Sequence, residues 1–300
     1  MTPEPRSVFV EPGGVRLHCL LWGDGGDPLI LLPGLGHSAH VFRELAPALA
    51  AERRVAAVTP RAHGASATPG DGYTVATLAA ELRGAMDALG MERAALVAHS
   101  FAGVVATRLA ADHPERVSHV VYLDGIVDYA GRDRVVVRNP FPPPSRPLLG
   151  DAFQQREWLR RYVPGFWCEP LEADLAARAP AVEEIRRLEL LYPVAAEVAA
   201  HPPPYGALCC PALALVAAES VESHFGWLDP ADAVARRRAE EYLWGIRLPW
   251  RRAAVERFRR EAPRGRVVEV PGGHYFFLSA RDRVADEIRA FLLPPAPPDP

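Results

Sequence analysis

The stretch LVAHSFAG, residues 96–103, decides the fold of this 300-residue chain. An apolar run ends at Ser100 and a helix-like run follows it, which predicts a buried strand, a sharp turn and a helix. Such a turn holds the serine hydroxyl exposed at the helix N-terminus, and the positions two residues before and after the serine must be small. Ala98 and Ala102 stand there, where the usual motif has glycine. We therefore predict that Ser100 is a nucleophile, with an ordinary helix-capping serine as the alternative.

Apolar runs alternate with amphipathic runs on both sides of this stretch. The pattern predicts strands at 15–22, 28–32, 54–58, 94–98, 119–123, 211–217 and 266–270, and helices at 41–51, 75–89, 101–112 and 281–293. Alternating strands and helices predict an α/β fold, with a mostly parallel twisted sheet flanked by helices on both faces.

The alternation breaks between residues 126 and 208. This segment is rich in proline, has several helix-like runs and contains no clear buried strand. We interpret it as an inserted helical cap over the carboxyl edge of the sheet, where open α/β sheets bind ligands. The core would then comprise residues 1–125 and 209–293, and the proline-rich residues 294–300 would form a disordered tail.

Two further loops carry candidate chemistry. The run LLPGLGH, residues 31–37, ends a predicted strand in a glycine-containing loop. The backbone N–H groups of Leu35 and Phe101 would form an oxyanion hole, although a plain strand-to-helix turn would give the same pattern.

The run VPGGHYFF, residues 270–277, places His274 after the last predicted strand. A serine hydroxyl needs a positioned imidazole to attack a carbonyl group, so we predict that His274 is the general base.

These motifs, in this order and spacing, resemble the α/β-hydrolase superfamily, and in particular its capped, esterase-like bacterial serine hydrolases. The resemblance runs from about residue 15 to 293, except across residues 126–208 and 219–263. It implies the α/β-hydrolase fold and the chain order in which the nucleophilic serine precedes the histidine. Epoxide hydrolases and dehalogenases of this fold resemble one another in using aspartate as nucleophile, and Ser100 argues against both activities.

The third member of the predicted triad is a carboxylate. In much of the superfamily it follows the strand written here as PALALVA, residues 211–217, but Ser220 stands at that position. A second solution in the superfamily has the acid after the strand that follows the nucleophile helix, and Asp124 stands there. We predict Asp124 as the orienting acid. The carboxylates that remain as alternatives are Glu219, Glu222, Asp128 and Asp229.

Aromatic residues are concentrated in the predicted cap. Trp158, Phe166, Trp167 and Tyr192 are the candidates for lining an apolar substrate pocket, although aromatic residues at helical spacing are often simply core. Beyond the cap, arginines interleave with glutamates between residues 236 and 260. We expect a solvated helix face with ion pairs there, an acidic substrate being the alternative.

Composition limits the partners. The net charge of −3 gives no basic stripe, which argues against nucleic acid. No apolar run approaches the ~20 residues of a membrane span, and the first residues lack the pattern of a secretory signal, so we expect a cytoplasmic protein. No phosphate-binding glycine motif or spaced Cys/His set occurs, so we predict neither a cofactor nor a metal. A small, apolar substrate is the expected partner, and a homodimer is compatible with the sequence.

Together these features predict a serine hydrolase that cleaves a carboxylic ester, lactone or thioester through an acyl-enzyme on Ser100. Two alternatives stay open at this point. The first is a catalytically silent binding protein that keeps the fold, and the second is a cofactor-free C–C hydrolase or lyase that uses the same triad.

Overall fold

The computed structural model describes residues 4–126, 129, 131–144, 152–178 and 181–293. The candidate acid Asp128 and the predicted tail at 294–300 lie outside these residues.

An eight-stranded sheet forms the centre of the molecule. Its strands are β1 (Arg6–Val10), β2 (Leu17–Trp22), β3 (Pro28–Leu32), β4 (Arg54–Val58), β5 (Ala94–His99), β6 (Val117–Leu123), β7 (Ala212–Ala218) and β8 (Gly265–Pro271). Their order across the sheet is β1-β2-β4-β3-β5-β6-β7-β8. The β1–β2 and β2–β4 pairs are antiparallel, and every other pair is parallel. The carboxyl ends of β3, β5, β6, β7 and β8 therefore meet at one edge, where the predicted site residues follow them.

Helices cover both faces of the sheet. They are α1 (Leu45–Ala50), α2 (Val75–Ala88), α3 (Ala102–Asp112), α4 (Arg132–Val137), α5 (Ala152–Tyr162), α6 (Glu169–Ala176), α7 (Ala181–Ala200), α8 (Val221–His224), α9 (Ala233–Tyr242), α10 (Leu248–Glu261), α11 (Phe276–Ser279) and α12 (Arg281–Leu292). A π-helical turn at Leu243–Arg247 joins α9 to α10. No helix in the described part of the chain is both long and apolar enough to cross a membrane.

Two apolar cores lie on opposite faces of the sheet. Along β5, Leu96 and Ala98 belong to one core with α2 and α3, while Ala95 and Val97 belong to the other with α1 and α12. This alternation follows from the pleat of a strand, and burial on both faces explains why β5 is a continuous apolar run in the sequence.

The predicted fold class is confirmed, with two local differences. The structure adds β1, a strand that the sequence pattern does not predict because most of its residues are exposed on the edge of the sheet. The single helix predicted at 41–51 is instead a 3₁₀ turn at Ala39–Phe42 followed by α1.

The segment between β6 and β7 differs in architecture from the rest of the chain. Its described residues form α4, α5, α6 and α7 and contribute no strand to the sheet. Helix α6 packs against the 3₁₀ turn at Ala39–Phe42, which follows the carboxyl end of β3. The insertion therefore contacts the edge of the sheet where the predicted site residues lie.

Gly103 provides a test of how closely α3 approaches the neighbouring strand. A Cβ at this position would lie 2.5 Å from the Gly125 carbonyl oxygen, so Gly103→Ala should force backbone atoms apart. We expect a loss of about 1–3 kcal/mol in the free energy of unfolding, measured by urea denaturation. Gly25 has open space around it, so Gly25→Ala is the control and should change stability by less than about 0.5 kcal/mol. Equal stability of the two variants would contradict the close approach.

Candidate active site

Ser100 occupies a strained turn between β5 and α3. Its φ angle is 53°, in the left-handed region that residues other than glycine rarely adopt. The Ser100 N–H donates to the Leu123 carbonyl oxygen at 3.0 Å, and the Ser100 carbonyl oxygen accepts from the Gly103 N–H at 3.0 Å. These bonds to β6 and α3 hold the turn, and strain of this kind is common at functional sites.

The loop after β3 lies against Ser100. A Cβ added to Gly34 would lie 3.0 Å from the Ser100 Cβ and 2.8 Å from the His99 Nδ1, so only glycine fits there without a shift. The next residue is Leu35, one of the two predicted oxyanion donors. Within the described residues, the backbone N–H groups of Leu35 and Phe101 have no protein acceptor. Both groups are therefore available to a ligand oxygen.

His63 anchors the loop after β3 through a hydrogen bond to Gly36. Its Nδ1–H donates to the Arg61 carbonyl oxygen at 2.8 Å, which leaves Nε2 as an acceptor for the Gly36 N–H at 2.9 Å. Burial lowers the pKa of His63 from 6.5 to about 4, so the neutral ring is retained near neutral pH. His63 has no role that the sequence predicts, because nothing in the surrounding run TPRAHGAS, residues 59–66, fixes which loop it contacts.

His274 and Asp124 meet at the carboxyl edge of the sheet. The His274 Nδ1 lies 2.6 Å from Asp124 Oδ2, although the two residues are 150 positions apart in the chain. Asp124 follows β6 directly and is 1% exposed. The structure thus brings the predicted base and the predicted acid into hydrogen-bond contact, with Nε2 as the remaining ring nitrogen of His274.

The carboxylate of Asp124 is fixed by several contacts. Its Oδ1 accepts from the Ala217 N–H at 3.0 Å, and the guanidinium of Arg251 contacts both carboxylate oxygens. Burial alone would raise the pKa of Asp124, but Arg251 and the hydrogen bond from His274 together hold it well below its ordinary value. Asp124 is therefore a stable anion in its buried position.

The other candidate acids have different partners. Glu219 forms a bidentate ion pair with Arg247, at 2.6 and 2.7 Å, and exposed Glu222 pairs with Arg236 at 2.9 Å. The Asp229 carboxylate is exposed and accepts from the Ala231 N–H. Ser220, at the position where the superfamily usually has its acid, caps α8 through reciprocal bonds with Ser223.

Two further side chains, those of His99 and Tyr129, belong to the surroundings of the predicted site. The buried His99 donates from Nε2 to the His274 carbonyl oxygen at 3.1 Å, so the residue before the predicted nucleophile anchors the loop of the predicted base. Burial and the proximity of His274 hold the pKa of His99 well below its ordinary value. The Tyr129 ring lies against the Phe101 ring, with centroids 6.4 Å apart, and burial raises the pKa of the Tyr129 hydroxyl to about 12.

A second buried network ties the helical insertion to these loops. Asp174 of α6 accepts from the Ser38 N–H and hydroxyl at 2.7 Å each, and from His37 Nδ1–H at 2.9 Å. The other His37 nitrogen accepts from the Tyr275 hydroxyl at 2.8 Å. Burial opposes ionisation of Asp174, but His37, Arg178 and Ser38 outweigh it and lower its pKa. This network connects α6 to the residues that follow both Leu35 and His274.

An apolar pocket adjoins the loop after β3, which carries Leu35, a predicted oxyanion donor. It encloses about 590 Å³, including the part open to solvent. Its wall includes Gly34, Leu35, Phe101 and Ala102 from the two loops, several aliphatic side chains of β2, β3, β4, α2 and α3, and Leu191 from α7. A hydrophobic group bound there would lie next to the predicted oxyanion donors.

The four aromatic residues of the predicted cap have other surroundings. The Trp158 indole N–H donates to the Pro144 carbonyl oxygen at 2.9 Å, and the Trp167 indole N–H to Glu172 at 2.8 Å. Phe166 and Trp167 are half-buried against the core formed with α1 and α12. Tyr192 is 72% exposed, whereas its neighbour Leu191 lines the apolar pocket.

The arginine-rich segment is a solvated face in part only. Exposed Arg236 pairs with Glu240 at 3.0 Å, and Arg259 with Glu256 at 2.7 Å, as predicted for a helix surface. Arg251 differs, because its side chain is 13% exposed and contacts Asp124. The prediction of a uniformly solvated face is therefore wrong at Arg251, since α10 turns that position towards the end of β6.

The chain belongs to the α/β-hydrolase fold family, because residues 27–176, half of the chain, match the model of that family. Two characterised relatives differ in chemistry. The fluoroacetate dehalogenase of a Burkholderia species is 34% identical over 160 residues, which are 48% of this chain and 52% of that protein. Epoxide hydrolase A of Mycobacterium tuberculosis is 35% identical over 123 residues, 40% of this chain and 38% of that protein. These matches span about half or less of each relative.

A solved structure shows the same fold over a longer stretch. The crystal structure of a carboxylesterase from Bacillus subtilis superimposes with a TM-score of 0.68, covering 97% of this chain and 92% of that chain at 18% sequence identity.

His63, which contacts the loop after β3, makes the free energy of unfolding depend on pH. Between pH 6.5 and about 4 the unfolded chain binds a proton that folded His63 does not, so stability is lost as the pH falls through this window. His63→Gln keeps an acceptor for Gly36 but does not titrate. We expect its loss of unfolding free energy between pH 7 and 4.5 to be smaller than that of the wild type by roughly 1–3 kcal/mol. Urea denaturation at the two pH values measures the difference.

The matched control for this prediction is exposed His201. His201→Gln should lose as much stability between the two pH values as the wild type does. A loss in His63→Gln equal to that of the wild type would contradict the assigned neutral state of His63.

Proposed function

We propose that this protein is a serine hydrolase that cleaves a carboxylic ester, or a related lactone or thioester. The observation that carries the proposal is the 2.6 Å contact between His274 Nδ1 and the buried Asp124 carboxylate, at the sheet edge where Ser100 sits in a strained turn. An acid on Nδ1 fixes the tautomer in which Nε2 has a free lone pair. Membership of the α/β-hydrolase family supports hydrolytic chemistry.

In the proposed reaction, Ser100 Oγ attacks the carbonyl carbon while His274 Nε2 takes the hydroxyl proton. The negative charge that develops on the carbonyl oxygen is stabilised by the Leu35 and Phe101 N–H groups, typically by ~3 kcal/mol for each donor. Collapse of the intermediate breaks the bond to the leaving group, which receives the proton from His274. Water, deprotonated by the same ring, then releases the acyl group and restores Ser100.

The nucleophile distinguishes this proposal from the activities of the two relatives. Epoxide hydrolases and dehalogenases of this fold resemble one another in an aspartate at the nucleophile position, and this chain has Ser100 there. A serine forms an ester with an acyl group, which water can hydrolyse at the carbonyl carbon. Ester-type substrates therefore fit this chain better than epoxides or haloalkanoates.

The apolar pocket supports a hydrophobic acyl group as part of the substrate. Most of its lining is aliphatic or aromatic, with Arg61, His63 and Glu81 as the polar members, and it includes Leu35 and Phe101, the predicted oxyanion donors. An acyl chain that extends from the attacked carbonyl into this space would be removed from water, with a gain of ~0.8 kcal/mol for each buried methylene.

The first prediction from this mechanism concerns the triad. Ser100→Ala should abolish hydrolysis of p-nitrophenyl esters, and His274→Ala and Asp124→Asn should each reduce kcat by about 10⁴-fold, because each removes one step of proton transfer or its orientation. Glu222→Gln and Asp229→Asn are matched controls, since these carboxylates are exposed and have other partners; both should keep most of the activity. Hydrolysis by Ser100→Ala at the wild-type rate would contradict the proposal, as would inactive wild-type protein that no acylating probe labels.

The second prediction concerns chain length. Val105 of α3 lines the apolar pocket, so Val105→Phe should shorten it. We expect kcat/KM to fall by roughly tenfold or more for p-nitrophenyl hexanoate, and much less for the acetate. Val137→Phe, on the exposed surface of α4, is the control and should leave the ratio of the two substrates unchanged. An unchanged ratio in Val105→Phe would exclude this pocket as the acyl site.

A further inference from the structure

Asp124 is shared between two partners, His274 and Arg251. Its Oδ2 faces both His274 Nδ1, at 2.6 Å, and an Arg251 guanidinium nitrogen, at 3.1 Å. Its Oδ1 accepts from the Ala217 N–H at 3.0 Å and from the other guanidinium nitrogen of Arg251. The carboxylate that faces the predicted base is therefore also half of a two-pronged ion pair with arginine.

The ion pair continues away from the site. Arg251 lies 3.6 Å from Glu219, and Glu219 in turn is held by Arg247 through bonds of 2.6 and 2.7 Å. Asp124, Arg251, Glu219 and Arg247 thus form a row of alternating charges. Glu219 directly follows β7 and Arg247 ends the π-helical turn before α10, so two neighbouring segments of the fold converge on this row.

The charge of Arg251 has a direct consequence for His274. A lone carboxylate on Nδ1 favours the protonated imidazole, because opposite charges attract. A guanidinium on the same carboxylate opposes that effect, since its positive charge repels the imidazolium and occupies part of the acceptor capacity. Glu219 has the opposite effect on His274, because its negative charge partly neutralises Arg251.

We propose that Arg251 is a positioning residue that clamps Asp124 and weakens the attraction of this carboxylate for a proton on His274, and that Glu219 limits this effect. The proposal rests on the proposed function, in which His274 acts as a base. Arg251 orients the carboxylate through two bonds, and its charge sets how readily the neighbouring ring takes a proton. The row of four charges therefore adjusts the pH range in which the site works.

Three other titratable side chains lie near His274 or near the row of charges: His99, Tyr275 and His224. His99 contacts the ring from the end of β5, with ring centroids 4.6 Å apart, and Tyr275 lies beside it at 5.4 Å. His224 of α8 stands near Glu219 and Arg247, and burial together with Arg247 lowers its pKa to about 4. Burial also holds the pKa of His99 well below its ordinary value, so Arg251 is the cation that contacts Asp124 directly.

The test is the pH profile of kcat/KM for an activated ester between pH 5 and 9. Arg251→Met removes the charge and keeps a long side chain, so the acidic limb should move to higher pH by about 1 unit. Glu219→Gln leaves Arg251 uncompensated, so the limb should move to lower pH. Arg251→Lys keeps the charge but not the two-pronged bond, so the limb should stay near the wild-type position while kcat falls.

Arg252→Met is the matched control, because Arg252 is the exposed neighbour of Arg251 on α10. It should leave both kcat and the acidic limb unchanged. Opposite displacements in Arg251→Met and Glu219→Gln cannot arise from a general loosening of the fold. Acidic limbs that coincide with that of the wild type in both variants would overturn the proposal, whatever happens to kcat. If Arg251→Met does not fold, the acidic limb of Glu219→Gln alone tests the proposal, because this variant leaves Arg251 and Asp124 intact. A limb at the wild-type position would then overturn it.

A second readout separates this proposal from the proposed function. Nitrogen-15 NMR of the His274 ring, assigned by comparison with His274→Asn, follows its titration without any turnover. The titration midpoint should be displaced upward in Arg251→Met and downward in Glu219→Gln. Displacements of these signs in a protein that hydrolyses no ester would support the charge effect and contradict the hydrolase proposal, whereas ester hydrolysis with unmoved midpoints would do the reverse.

Discussion

The close approach of backbone segments around Ser100 is the constraint on which the rest of this structure depends. Ser100 has a positive φ angle, and the three glycines nearest to it have almost no space for a side chain: Gly34, Gly103 and Gly125. These contacts bring the ends of β3, β5 and β6 together with the start of α3. The same contacts bring Gly34 against the Ser100 side chain, so Leu35 and Phe101, the two predicted oxyanion donors, each adjoin a residue of this tight turn.

The second determinant is electrostatic. A carboxylate that is 1% exposed would be unstable alone, and Asp124 persists as an anion because His274, Arg251 and the Ala217 N–H share its two oxygens. The predicted acid, Asp124, follows β6 in this chain, and the position after β7 has other roles. Ser220 caps a helix there, and Glu219 neutralises the arginine that contacts Asp124. The place of the predicted acid after β6 and the row of charges through Arg251 are thus parts of one arrangement.

The sequence alone was sufficient for the fold class and for the contact between Asp124 and His274, because these follow from strand order and from the residues at strand ends. A β strand that ends in Ser100 or Asp124 is visible as an apolar run with a polar residue behind it. Arg251 and His63 could not be found in this way, since Arg251 lies inside α10 and His63 in the loop after β4, and neither directly follows the apolar run of a strand. The edge strand β1 was missed because exposure weakens its apolar pattern. The acid role of Asp124 and the substrate contacts of the insertion remain predictions.

The most direct test of the central claim is to trap the covalent intermediate. The protein would be mixed with a slowly hydrolysed aryl hexanoate ester, quenched in acid within milliseconds to seconds, digested and analysed by tandem mass spectrometry. The account predicts a hexanoyl group on the peptide that contains Ser100, which appears before free hexanoate accumulates and decays with the turnover rate. Ester hydrolysis without any acylated Ser100, or with the acyl group on another residue, would contradict it.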